Sequence, residues 1–331
     1  MRPKLLVLRA LGLGDLLTAV PALRALRRHW PGHEIVLAAP ARLAEAAAAT
    51  GAVDRLLPVS APARSVPARI DWLGPAPEVA VDLHGNGPPS HLLLQGVRPG
   101  ALLAYAHPRT PHIAGPVWRT DEHERDRWCR LLHWYGIPAD PGDLRIAPPD
   151  VPSPARGATV VHPGADAGSR RWPATRFAAV IRGLRTPVVV TAGAGEAPLA
   201  HRIAELAGLP ASRVLGGDAD VPFPVLAALV AEARAVVAGD TGLAHLASAL
   251  GTPSVVLFGP VSPRLWGPPD DPRHQALWHY GGAPDEVRPG DAHGDRPDER
   301  LLRISADEVL DALATAVRTA RPDPMEGAGT R

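Results

Sequence analysis

Apolar runs of strand length recur along the chain, each followed by a stretch whose apolar positions repeat every three or four residues. KLLVLRA (4–10) is the first such run, with a helical pattern after it through DLLTAVPALRALRRHW (15–30). EIVLAAP (34–40), an alanine-rich helix over 41–50, and the short runs RLLPV (55–59) and VAVDLHG (79–85) continue the alternation. A further helix is expected in DEHERDRWCRLLHWYG (121–136). Prolines between 148 and 154 suit neither a helix nor a central strand and mark a boundary.

The pattern then restarts. GATVVHPGA (157–165), a helix from Pro173, TPVVVTAGAG (186–195), a helix through APLAHRIAELAG (197–208), AVVAGD (235–240), GLAHLASALG (242–251) and SVVLFGP (254–260) follow in order. Strands separated by helices of this length pair in parallel through crossover connections. The expectation is α/β: two Rossmann-like domains, 1–153 and 154–304, with parallel sheets. Residues 262–300 are polar and rich in Pro and Gly and are expected as irregular loops. Ser305-Ala306-Asp307-Glu308 reads as a capping box opening a last helix over 305–320, with 321–331 a frayed tail.

Composition narrows the class. With 46% apolar and 21% charged residues the 331-residue chain has enough core for two domains and is not of disordered type. A net charge of +1 gives no bulk reason to expect nucleic acid as a partner. Cys129 is the only cysteine and suits a reducing compartment. Met1-Arg2-Pro3-Lys4 before LLVL imitates a signal peptide, but Arg9 and Asp15 interrupt the apolar run, and no stretch reaches the roughly 20 residues of a membrane span. A cytoplasmic protein is expected, with any membrane contact peripheral.

Four glycine-bearing turns fall at predicted strand ends. At Gly12-Leu13-Gly14-Asp15 a dinucleotide fingerprint fails because position 17 is Leu, and Lys4, the single lysine of the chain, supplies no Walker motif. Asp15 at a helix mouth would repel a pyrophosphate. It either caps the helix or presents a carboxylate at the sheet edge, able to take a proton from a hydroxyl. Gly239-Asp240-Thr241-Gly242 follows a wholly apolar strand and opens a helix at once, so the N–H groups of Thr241, Gly242 and Leu243 are expected to be available to an anion. Asp240 is a cap or a partner for sugar hydroxyls, and His245 is a packing residue or a crevice group.

In HPGADAGSRRWP (162–173), small residues allow close approach, and Arg170 and Arg171 can form either surface ion pairs or a cationic fork on phosphate oxygens. Gly193 and Gly195 end another strand, where Glu196 can take ribose hydroxyls or serve as a first-turn helix charge. There is no H-E-x-x-H and no cysteine pair, so no metal site is expected. No G-x-S-x-G elbow occurs either.

Together, LRALGLGDLLTAVPALRALRRHWP, VAVDLHGN, VVHPGADAGSRRWPATRFA and VVAGDTGLAHLASALGTPSVVLFGPVSPRLWGP resemble glycosyltransferase family 9, the bacterial heptosyltransferases, and ISADEVLDAL near the end has the same look. The resemblance implies a GT-B fold with an acceptor-side first domain and a nucleotide-sugar-binding second domain facing across a cleft. It also implies a last helix returning toward the first domain. It further implies inverting transfer without a metal or cofactor, from a nucleotide-diphosphate sugar such as ADP-heptose to a glycan or small-molecule hydroxyl. On this resemblance Asp15 is the general base. Arg170, where relatives often carry Lys, contacts donor phosphates; Asp240, Thr241, Gly242 and His245 hold the diphosphate and sugar; Gly193 and Glu196 line the nucleoside pocket. Gly14, Thr18, His84 and Asn86 are acceptor-side candidates. Asp166 departs from the small or hydroxyl residue usual there and bears on donor preference. The competing readings are a sugar-nucleotide epimerase of similar fold and a silent nucleotide-sugar-binding protein; an NAD oxidoreductase is disfavoured by the broken fingerprint.

Overall fold

Strands that are apolar at every position must be covered on both faces, and in a parallel sheet the crossover helices do this. The computed structural model describes residues 2–62, 65–283 and 286–320, so the expected 321–331 tail lies outside the described residues. The chain divides into two units, Met1–Asp150 and Val151–Arg331.

The first unit is built on β1 (Lys4–Leu8), β2 (Glu34–Ala39), β3 (Arg55–Pro58), β4 (Val79–Asp82) and β5 (Ala101–Leu103), all parallel, in the order β3-β2-β1-β4-β5. Its helices are α1 (Leu13–Thr18), α2 (Val20–His29), α3 (Ala44–Ala49), α4 (Pro88–Gln95) and α5 (Glu124–Trp134). The single helix expected over 15–30 is thus two. Pro21 stands at the second position of α2; its ring would clash with the carbonyl four residues back, so the chain breaks at Ala19 (φ −90°, ψ −5°) and restarts.

The second unit has β6 (Thr159–His162), β7 (Val188–Ala192), β8 (Val214–Gly216), β9 (Ala235–Gly239), β10 (Ser254–Leu257) and β11 (His274–Leu277), parallel in the order β11-β10-β9-β6-β7-β8. Its helices are α6 (Ala174–Gly183), α7 (Ala197–Ala207), α8 (Phe223–Ala231), α9 (Gly242–Leu250), α10 (Pro263–Trp266), α11 (Glu299–Arg303) and α12 (Ala306–Thr319). The stretch expected to be irregular over 262–300 therefore contains α10 and an edge strand. His274-Gln275-Ala276-Leu277 pairs with all four residues of β10, and sheet context overrides its weak strand signal.

Both strand orders reverse beside the first strand of their unit, between β1 and β4 and between β6 and β9. Strand residues such as Leu6, Leu8, Val36 and Ala80 form the core of the first unit; Val161, Val190, Val237 and Leu257 join Phe177, Ile203 and Val309 in the second. The last helix, α12, packs in this second core through Val309 and Leu313, against α6 and the β9–β11 side of the sheet. Ser305 Oγ accepts from Glu308 N at 3.2 Å, while the Glu308 carboxylate pairs with His279 instead of completing the capping box. Ser305→Ala is expected to lower the unfolding free energy by about 1 kcal/mol in urea titrations.

Candidate active site

The turn after β1 has Gly12 as N-cap in an extended conformation (φ −89°, ψ −179°) and Asp15 at the third helical position. Asp15 is therefore not the N-cap that one sequence reading allowed. Glycine has no side chain with which to cap, so the carboxylate reaches back instead, and Gly12 N donates to Asp15 Oδ2 at 3.0 Å. The other oxygen, Oδ1, lies 3.9 Å from Arg9 Nη2. Gly14, the second helical residue, is half-buried. Thr18 is buried, its hydroxyl donating to Asp15 O at 3.0 Å and accepting from Arg9 Nη2 at 3.3 Å.

Across the order reversal, the turn after β4 carries His84 and Asn86. Ala10 N donates to His84 Nδ1 at 3.2 Å, which ties the two turns together, and Asn86 is half-buried in the same loop. Asp82 shapes that loop: its Oδ1 accepts from His84 N at 2.9 Å and Gly85 N at 3.3 Å. Its Oδ2 faces His91 Nε2 at 3.7 Å, and neither of these buried atoms makes a hydrogen bond. Burial pushes the Asp82 carboxyl up to about 6, against opposing hydrogen bonds and Arg9. Burial, helped by His107 and His112, pushes His91 down to about 4.

In the second unit the turn after β9 opens α9, a nine-residue helix, with Thr241 rather than Asp240 as N-cap. Thr241 makes no side-chain capping bond, and its buried Oγ1 has no hydrogen-bond partner. The helix N-terminus therefore keeps its electropositive end uncapped by any side chain. The loop after β6 delivers Arg170 to this turn, where Nη1 donates to Asp240 O at 3.2 Å. Arg170 Nη2 lies 3.6 Å from the exposed Asp166 carboxylate, while its buried Nε has no partner. His245 is buried one turn into α9, with Nε2 4.0 Å from Asp240 Oδ1 and its ring 6.0 Å from that of Trp266.

The seven orphaned buried polar atoms among the described residues are not scattered. Ser169 Oγ, Arg170 Nε, Trp172 Nε1 and Thr241 Oγ1 belong to these two loops of the second unit; Asp82 Oδ2, His91 Nε2 and Arg127 Nε belong to the first. Buried polar groups normally find partners, and two of these, Arg170 Nε and Thr241 Oγ1, sit on the loops that the Arg170–Asp240 hydrogen bond joins at the start of α9. The Arg170 turn is held from behind: Ser169 N donates to Gly294 O at 2.8 Å and Asp298 N to Ser169 O at 3.1 Å. Gly168 is required there, because a Cβ would sit 2.0 Å from Asp295 O.

Gly193 and Glu196 meet in a third turn, after β7. Gly193 N donates to Glu196 Oε2 at 2.8 Å, and a Cβ on Gly164 would lie 1.9 Å from that oxygen. Glu196 is the N-cap residue of α7. Burial lowers the pKa of the neighbouring His162, with Glu196 opposing the shift. Sequence reading passed over one D-x-D and took the chain to have none; it is Asp218-Ala219-Asp220, where Asp220 Oδ1 accepts from Ala194 N at 2.9 Å. No group of three or more potential metal ligands exists among the described residues. Nor is any described helix long and apolar enough to cross a membrane.

Residues 140–292 match glycosyltransferase family 9 (heptosyltransferase). Lipopolysaccharide heptosyltransferase 3 of Escherichia coli is 34% identical over 114 residues, 33% of each chain. Lipopolysaccharide heptosyltransferase 2 of E. coli K12 is 32% identical over 160 residues, 46% of this chain. The matched stretches span 33% and 44% of those relatives' lengths. The whole fold is shared more widely. E. coli ADP-heptose lps heptosyltransferase II superposes with a TM-score of 0.74 at 19% identity, covering 95% of this chain and 98% of that one. E. coli heptosyltransferase WaaC, solved with ADP-2-deoxy-2-fluoro heptose, gives 0.67 at 17% identity, covering 94% and 99%. The two parallel-sheet units thus have the expected GT-B fold.

Four side chains here escaped the sequence reading as site residues: Arg9, Asp82, His91 and Glu124, the first residue of α5, whose Oε1 accepts from Arg9 Nη2 at 3.0 Å. Arg9 and Asp82 left a trace, since each sets a charge at the end of an apolar strand; His91 and Glu124 sit inside ordinary helices and left none. The buried Asp82–His91 pair has opposing pH effects. Neutral His91 contributes stability that is full above its unfolded value and lost as pH falls toward 4, while Asp82 contributes stability that returns as pH falls through about 6. Asp82→Asn removes the compensating half. Between pH 7 and 5 the variant is expected to lose about 1 kcal/mol more stability than the parent in urea unfolding.

Proposed function

We propose that this protein is an inverting glycosyltransferase that moves a heptose or related sugar from a nucleotide-diphosphate donor, ADP-heptose in type, to a hydroxyl of a glycan or small molecule. The observation that carries the reading is Arg170 drawn onto the Asp240 carbonyl beside the uncapped N-terminus of α9, with Arg170 Nε and Thr241 Oγ1 buried and unpartnered. A diphosphate satisfies all of these at once: its oxygens accept from the guanidinium, the Thr241 hydroxyl and the free amides of the first helical turn.

Transfer begins when the acceptor hydroxyl attacks the anomeric carbon and gives its proton to Asp15. The back-bond from Gly12 N fixes the carboxylate at the mouth of the turn. As the bond from C1 to the phosphate oxygen breaks, negative charge grows on the leaving diphosphate. Arg170 and the dipole of α9 stabilise it there, which is the work a cation does in metal-dependent transferases. Asp240 and His245 stand where the sugar hydroxyls follow the diphosphate. Gly193 and Glu196 fit the nucleoside, and Gly14, Thr18, His84 and Asn86 line the acceptor-side turns. Thr18 acts through its hold on the Asp15 carbonyl rather than by contact, since it is buried. Work at the inner face of the membrane, through peripheral contact, is part of the same proposal.

The experiment that tests this is a thermal-shift screen of the full chain against nucleotide sugars, followed by NMR of the best donor with and without acceptor. Consumption that requires an acceptor supports transfer. Conversion of the donor alone indicates an epimerase, and binding without turnover indicates a silent binding protein. Arg170→Ala is expected to weaken ADP at least about tenfold by calorimetry, the loss of one charge-assisted fork, with little change in melting temperature. Asp15→Asn is expected to cut transfer by about 10²–10⁴ while leaving ADP affinity nearly unchanged; a variant that turns over normally would reduce Asp15 to a helix-end carboxylate.

A further inference from the structure

Arg9 is one of the largest fully buried side chains of the protein, 1% exposed, so it cannot touch a substrate. All three of its nitrogens are engaged. Nε donates to Asp15 O at 2.9 Å, Nη1 donates to Leu83 O, and Nη2 donates to Thr18 Oγ1 at 3.3 Å and Glu124 Oε1 at 3.0 Å. Its guanidinium lies 4.8 Å from the ring centre of Trp128. Glu124 in turn accepts from Trp128 Nε1 at 3.0 Å and from Arg127, so its two oxygens are shared among three donors. A buried ion pair of this kind gives little net stability, because desolvation offsets its attraction. What it does give is a fixed arrangement, and this one converges on the Asp15 turn from β1, β4 and α5.

We infer that Arg9 and Glu124 are positioning residues that set the place and the charge state of Asp15. The inference rests on the reading of Asp15 as the base. Arg9 holds the Asp15 backbone and sets a positive charge 3.9 Å from Oδ1. Glu124, 3.0 Å from Arg9 Nη2, sets a negative charge on the far side of the same guanidinium. The other ionisable groups around the turn are Asp82 and His84 at the end of β4 and Arg127 on α5.

The test labels aspartate side-chain carboxyls with ¹³C in the full chain and assigns the Asp15 signal by its disappearance in Asp15→Asn. The pH at which that signal titrates is then followed in three variants. Arg9→Met is expected to move it up by about one unit, and Glu124→Gln to move it down by about half a unit or more. Arg9→Lys keeps the charge and loses the fork, so the titration stays near the parent's while transfer slows. Opposite shifts are the signature, because damage to a merely structural network has no reason to change sign between its two ends. If Arg9→Met does not fold, the downward shift in Glu124→Gln carries the test alone. An unmoved titration, or two shifts of the same sign, overturns the inference. The base reading fails differently, through full transfer by Asp15→Asn, and that result leaves the titration shifts to stand or fall by themselves.

Discussion

A parallel sheet whose strand order reverses leaves an opening at the C-terminal ends of two neighbouring strands, because the connections that follow them depart to opposite faces. Each unit of this protein has one reversal, β1 against β4 and β6 against β9, and the side chains of chemical interest are gathered there. Asp15 and His84 leave the two strands of the first reversal; the Arg170 loop and the Asp240 turn leave those of the second. Backbone topology, not side-chain attraction, brings residues seventy positions apart within a hydrogen bond of each other. The side chains then determine what the opening can hold.

Arg9, fully buried, and Arg170, half-buried, show how differently one residue type can be used. Arg9 is saturated, with carbonyls, a hydroxyl and a carboxylate around every nitrogen and an indole beside its plane. It acts within the protein. Arg170 is left incomplete: one nitrogen on a backbone carbonyl, one near an exposed carboxylate that water screens, and one with nothing. An unsatisfied buried guanidinium nitrogen is costly, and next to an uncapped helix N-terminus that cost is recovered when an anion arrives. The contrast separates an arginine saturated within the protein from one left with an open nitrogen.

Much of this was legible in the sequence because it depends on local rules. Continuous apolar runs such as VVAG identified central parallel strands, and glycines at their ends identified the turns. The Pro148–Pro154 cluster lies at the boundary between the units, Asp150 to Val151. Local rules also failed where two were in competition. Pro21 inside an apolar helical repeat divided one helix into two, and HQAL became a strand only because β10 offered a full register. At both Asp-bearing turns one of the two readings made the Asp a cap, and the cap lies three positions before Asp15 and one after Asp240. Asp is a good cap in isolation, yet Gly12 and Thr241 have the extended backbone that the position needs. The Arg9–Glu124 link was beyond reach of the sequence, since its partners are 115 residues apart and meet only after α5 has packed.

Asp15 and Glu196 are posed alike, each reaching back three residues to a glycine N–H at the end of a central strand. Their surroundings make them unlike in chemistry. Gly164 packs directly over the Glu196 carboxylate, where even a methyl group has no room, and a histidine held neutral by burial stands beside it. That carboxylate is a fixed wall with acceptor oxygens, suited to orienting hydroxyls. Asp15 instead has a cation at one oxygen, itself balanced by Glu124, and a back-bond at the other. The same turn geometry thus carries two carboxylates with different surroundings, and the difference lies in the second layer of residues rather than in the motif.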